Sequence, residues 1–155
     1  LCTRSLYHQH HARCRRVDNS GTAQFEARRT AFDAVRAFVE IACATLAPAN
    51  VERVVLIVEE LFCNTIEHGY GDDSGRPVWL TLVPSERGCA VRYRDAAPAH
   101  DPFAHATSPE LPANPDMLPV GGLGVYLIGQ FCTVKHYERH ADHNVIELFV
   151  PAAAP

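Results

Sequence analysis

Two strand–turn–strand patterns constrain this chain more than any other feature. Residues 77–85 and 89–95 are strand-like runs flanking Glu86-Arg87-Gly88, and residues 133–139 and 144–150 flank Ala141-Asp142-His143. Turns this short force antiparallel pairing, because a parallel pair needs a crossover of about a dozen residues or more. An alternating stretch from Thr22 to Arg28 reads as one further strand.

Helical periodicity fills the space between the strands. Phe32, Val35, Phe38, Val39, Ala42 and Leu46 recur at helical spacing, so 31–46 reads as an amphipathic helix with Thr30 as its cap. Ala47-Pro48-Ala49 breaks it. Asn50 is placed to cap a second helix, with Glu52 in the first turn, His68 near its end and Gly69 as its stop. A third helix, carrying Val125, Leu127, Ile128 and Phe131, begins after Gly124. The order is β, α, α, β, β, long loop, α, β, β. It predicts an α+β fold: a two-layer sandwich of a mainly antiparallel sheet with helices on one face. At 155 residues with 47% hydrophobic content, the chain suits one domain with a substantial core.

That domain is expected over 21–150, between a basic, His-rich tail (1–20) and a loose C-terminal tail (151–155). Cys2, His8, His10, His11 and Cys14 are metal-capable, but their spacing matches no zinc pattern. The loop over 96–120 holds six of the eleven prolines. Loops of this length are usually functional or disordered. The six cysteines form no CxxC pair and read as small apolar residues in a reducing compartment.

A net charge of −4 argues against direct nucleic-acid binding, which favours a basic surface. No apolar run approaches the roughly 18 residues of a membrane span, and no signal-peptide pattern opens the chain. A cytoplasmic location without membrane contact is the expectation.

Three features could carry chemistry. Glu60, Asn64 and His68 are spaced four apart beside the apolar stripe Val55, Val58, Phe62 and Ile66. Asp95 ends a strand and opens the long loop, where its carboxylate can accept a hydrogen bond from a ligand amine. Gly121-Gly122-Leu123-Gly124 precedes a helix, so backbone N–H groups can approach phosphate oxygens at a helix N-terminus. The run is neither a P-loop nor a dinucleotide fingerprint. Taken singly, these features have plainer readings as a solvated helix face, a turn cap and a tight turn.

Together, in this order, they resemble the N, G1 and G2 boxes of the GHKL ATPases, the superfamily of gyrase, histidine kinases and MutL. The run from Glu60 through Asn64 and His68 to Gly69-Tyr70 is similar to the helix of RsbW-type anti-sigma-factor kinases. The run from Gly121 to Ile128 is similar to their G2 box, and Asn144-Val-Ile-Glu-Leu to their last strand. The resemblance covers about residues 22–150.

The resemblance implies a serine/threonine protein kinase that binds ATP and Mg²⁺. Asn64 would ligate the magnesium, Glu60 would be the general base, and Asp95 would bind the adenine amino group. Gly122 and Gly124 would let the loop close on the phosphates, with Gly121 and Val125 beside them. His68 lies within the motif, and 96–120 would be the ATP lid. Implied partners are a sigma factor, a STAS-type antagonist phosphorylated on serine, and a second copy in a homodimer. One position departs from the pattern: Ala97 stands where the G1 box has glycine, adding a methyl near the base. That keeps open a protein-binding module without kinase activity. A detached histidine-kinase catalytic domain would need a phosphoacceptor helix, and no stretch reads as one.

Overall fold

The computed structural model describes residues 14–18, 21–104 and 123–153. Six strands form one fully antiparallel sheet: β1 (Cys14–Val17), β2 (Thr22–Glu26), β3 (Pro77–Ser85), β4 (Gly88–Asp95), β5 (Val134–His140) and β6 (His143–Pro151). Their spatial order is β1-β2-β3-β4-β6-β5. Helices α1 (Phe32–Ala42), α2 (Pro48–Asn64) and α3 (Leu123–Phe131) join the sheet in a single core. The expected α+β two-layer architecture is the one found.

Strand parity decides what faces the helices. On β3, Val78, Leu80 and Leu82 are buried while Trp79, Thr81 and Val83 are not. On β4, Cys89, Val91, Tyr93 and Asp95 share the buried phase. Asp95 therefore enters the interior as the last member of an apolar row. On the opposite face, Arg94 stacks over the Trp79 ring at 4.3 Å. The stripe Val55, Val58, Phe62 and Ile66 is buried, and Phe62 meets Phe32 edge-on at 5.4 Å.

Several local expectations are corrected. Residues 14–17, read as part of a tail, pair with β2 as an edge strand. The C-terminal segment is docked through residue 153, since the Ala153 N–H donates to Asn50 Oδ1 at 2.9 Å. That bond also replaces the cap expected of Asn50. Helix α2 starts earlier, with a proline in its first turn and Ala47 as N-cap. There the ring fixes φ and the missing N–H costs nothing. Glu52 lies past the first turn and pairs with Arg36 at 2.8 Å. Thr30 sits in a 3-10 turn, Arg29–Ala31, and α1 follows with Ala31 in the cap position and no side-chain cap.

The second helix does not run uniformly to His68. Regular α geometry stops at Asn64, and Thr65–Gly69 form a π-turn closed by Tyr70 N–H to Thr65 O at 2.8 Å. Such wide turns gather at functional sites. Among the described cysteines, Cys43, Cys89 and Cys132 are buried and Cys63 is half-buried, and none of these four is in a disulfide.

The β5–β6 turn places Ala141 at φ 49°, in the left-handed region that L-residues with a Cβ avoid. Ala141→Gly should raise the unfolding free energy by about 0.5–1 kcal/mol. Urea denaturation checks this, and a lower midpoint would contradict the turn geometry.

Candidate nucleotide-binding site

The site begins where α2 passes beneath the end of β4. Leu61, Asn64, Thr65 and Gly69 from the helical side face Asp95, Asn144 and Ile146 from the sheet, with His100 and Pro102 at the opening. They line a small cleft that is open to solvent.

Asp95 is 5% exposed and is held from three directions. Its Oδ1 accepts from the Ala97 N–H at 2.9 Å and from Asn144 Nδ2 at 2.8 Å. Its Oδ2 accepts from the Thr65 hydroxyl at 3.2 Å, and Thr65 in turn accepts from the Tyr93 hydroxyl at 2.8 Å. Burial holds the Tyr93 phenol well above its usual range, so it stays a donor. A carboxylate accepts only, and its two oxygens offer about four acceptor positions. Three are filled, and the remaining capacity suits a ligand N–H.

Asn64 presents the opposite case. Its Nδ2 is buried without a hydrogen-bond partner, and no hydrogen bond to its side chain is found among the described residues. An unpaired buried polar group costs about 1–3 kcal/mol. The amide thus lines the cleft with its hydrogen-bonding capacity unspent, and its oxygen is a donor atom of the type magnesium prefers. An amide oxygen suits a magnesium ion carried on phosphates, and Asn64 is the residue that would hold it.

One helical turn back on α2 lies Glu60. Burial raises the proton affinity of its carboxyl group, helped by the neighbouring carboxylates Glu59 and Glu67. It has no hydrogen-bond or ion-pair partner among the described residues. Its side chain lies against Gly124 in the first turn of α3. A Cβ at Gly124 would stand 2.8 Å from Glu60 Cδ and collide outright with Oε2. A Cβ at 124 would therefore require the flexible end of the Glu60 side chain to shift.

The remaining expected residues divide. His68 is exposed on the π-turn, and its ring faces that of His100 at 6.4 Å. Ala97 does not line the cleft. It is 1% exposed, and its methyl carbon would stand 3.0 Å from a Cβ built on Gly69. The methyl is thus accommodated by the glycine opposite. Gly121, Gly122 and the 105–120 part of the expected lid lie outside the described residues, as does the Val125 side chain.

The sequence reading missed Thr65, Tyr93, Asn144, Tyr137 and Arg139 as parts of the site. Thr65 directly follows Asn64, a local signal that could have found it. Asn144 meets Asp95 only through the β4–β6 register, which pairs the two residues directly.

An α+β sandwich with an acceptor carboxylate at one end of a cleft, and a Glu/Asn pair on the flanking helix that is unpartnered among the described residues, is compatible with a nucleotide-binding domain. The chain belongs to the histidine kinase-like ATPase domain family, whose model matches residues 22–150. That match places it among the ATP-binding proteins of the GHKL superfamily. No curated protein matches it. Among the described residues, no helix is long and apolar enough to cross a membrane.

The Glu60–Gly124 contact is testable by a double-mutant cycle. The methyl of Gly124→Ala must displace the Glu60 side chain, so the substitution should raise the melting temperature more, or lower it less, when Glu60 is also alanine. Strictly additive effects would show that the two residues are not in contact.

Proposed function

We propose that this chain is an anti-sigma factor and serine/threonine protein kinase that binds Mg-ATP, sequesters a sigma factor and phosphorylates a STAS-type antagonist. The observation that carries the kinase part is Glu60. It is a carboxylate of raised proton affinity, without a hydrogen-bond or ion-pair partner among the described residues and one helical turn from Asn64. A structural carboxylate would normally be paired; a general base must be available to its substrate and titrate nearer neutrality. The partner assignment is supported by the similarity of the Glu60–Tyr70 and Gly121–Ile128 segments to RsbW-type kinases.

In this reading Asp95 accepts an N–H from the adenine amino group, and Asn64 holds the metal through its amide oxygen. Magnesium, when bound, neutralises phosphate charge. Glu60 accepts the proton of the antagonist's serine hydroxyl as that oxygen bonds to the γ-phosphorus and the bond to ADP breaks. Little covalent chemistry is asked of the protein, since phosphoryl transfer depends mostly on positioning and charge. Ala97 is no steric objection, because it is buried against Gly69 and does not itself line the cleft.

Calorimetric titration with ADP and ATP, with and without magnesium, tests the binding part. Magnesium-dependent binding is expected, with Asn64→Ala losing the magnesium dependence. No binding at millimolar nucleotide would leave a protein-binding module without kinase activity. Glu60→Gln should keep ATP affinity and lose transfer to a STAS antagonist by about a hundredfold or more. Transfer at the wild-type rate in that variant would remove Glu60 from the mechanism.

The pH dependence has a definite sign. The base acts when deprotonated, so transfer falls as pH drops through the Glu60 pKa. Burial raises that pKa, so the acid limb should lie above the pH of an ordinary glutamate. A single-turnover pH profile checks this; a limb at or below the ordinary value would contradict the burial of the base.

A further inference from the structure

We propose that Arg139 is a positioning residue of the cleft, acting through Asn144 and the Ala97 carbonyl to fix the turn that carries Asp95. The inference rests on the nucleotide reading above and concerns a residue outside the three motifs.

Arg139, Asn144 and Asp95 form one cross-strand row. Arg139 pairs with Asn144 across β5–β6, and Asn144 pairs with Asp95 across β6–β4. Directly paired residues share a face, so the row points its side chains to the same side of the sheet. Arg139 is an exposed residue near the end of an edge strand. Here its Nη1 donates to Ala97 O at 2.7 Å and to Asn144 Oδ1 at 2.9 Å. Arg139 forms no ion pair among the described residues. Its charge is committed to two neutral oxygens, and such charge-assisted bonds are about twice as strong as neutral ones.

These bonds determine how Asn144 is oriented. Arginine only donates and a carboxylate only accepts. Asn144 must therefore turn its oxygen to Arg139 and its nitrogen to Asp95. Its Oδ1 also accepts from Tyr137 Oη at 2.9 Å, which fills both lone pairs; the His100 N–H, at 3.4 Å, is a weaker third donor. Its Nδ2 spends its two hydrogens on Asp95 Oδ1 at 2.8 Å and Pro98 O at 3.0 Å. Ala97, Pro98 and His100, which follow Asp95, are thus tied to the β5–β6 hairpin. Removing Arg139 takes away the strong donor to Ala97 O and one of the two bonds orienting Asn144. Asp95 keeps its bonds from Thr65 and the Ala97 N–H, but the Asn144 amide and the turn at Ala97 lose the constraint that Arg139 supplied. A site that reads a ligand N–H through a fixed acceptor should lose both affinity and discrimination.

The test uses the full chain with Arg139→Ala, Arg139→Lys and Tyr137→Phe. The probes are ADP and inosine diphosphate, whose base carries a carbonyl where adenine has an amino group. Arg139→Ala should weaken ADP binding about tenfold. It should weaken inosine diphosphate binding far less, so the ratio between the two narrows. Arg139→Lys should recover part of the loss, since an ammonium can still donate to both oxygens, and Tyr137→Phe should show a smaller loss of the same kind. Amide hydrogen exchange at Ala97 and His100 should accelerate in Arg139→Ala. A lower melting temperature with unchanged ADP affinity and unchanged ratio would reduce Arg139 to a structural role and overturn the proposal. If the wild-type chain binds neither nucleotide, the nucleotide reading fails, and exchange at Ala97 and His100 decides the clamp separately. Wild-type exchange rates in Arg139→Ala would then overturn it, and faster rates would support it.

Discussion

A carboxylate brought into the interior has to be surrounded by donors, and the arrangement around Asp95 follows from that requirement. An unpaired polar group here would cost about 1–3 kcal/mol, and more if charged. The chain meets the demand from three directions: the backbone turn at Ala97, the Asn144 amide on β6, and the Thr65 hydroxyl at the end of α2. Meeting it fixes the relative position of helix, sheet and loop root. The π-turn at Thr65–Gly69 belongs to the same solution, because it is the element that carries Thr65 past β4 and brings Gly69 against Ala97.

The site therefore contains two kinds of polar residue. Asp95 has most of its acceptor positions occupied by protein donors, so its direction is set before any ligand arrives. Asn64 and Glu60 have no hydrogen-bond partners among the described residues, and one is an orphaned amide while the other is a carboxylate whose proton affinity burial has raised. The site thus sets a preoriented acceptor at one end and, at the other, groups whose hydrogen-bonding capacity the described residues leave open. The cost is stored locally in the unpaired groups and is offset by the apolar packing of α2 against the sheet, where Val55, Val58, Phe62 and Ile66 are all buried.

The fold class was legible in the sequence for a specific reason. Two tight turns between strand-like runs leave antiparallel pairing as the only geometry, and the apolar stripe of α2 leaves one face for the sheet. Glu60, Asn64 and Asp95 were also legible as candidates, the first two by helical spacing and the third by its place at a strand end. Boundaries and caps were less so. Asn50 looked like a cap because capping is a local property. The docked C-terminal segment took its side chain for a tertiary bond instead, while the helix started three residues earlier, at Pro48. The edge strand at 14–17 was hidden because a short polar strand gains its stability from its neighbour β2 and carries little pattern of its own.

The sequence by itself determined the α+β architecture, the buried stripe of α2 and the identity of the groups that could do chemistry. These depend on periodicity and turn length, which are properties of neighbouring residues. Only the tertiary structure decided that Asp95 would be read through Asn144, that Arg139 would fold back onto the Ala97 carbonyl, and that Gly124 would lie against Glu60. Each contact joins residues separated by tens of positions, and strand register or helix packing brings them together. A shift of one residue in the β4–β6 register would turn Asn144 to the other face of the sheet.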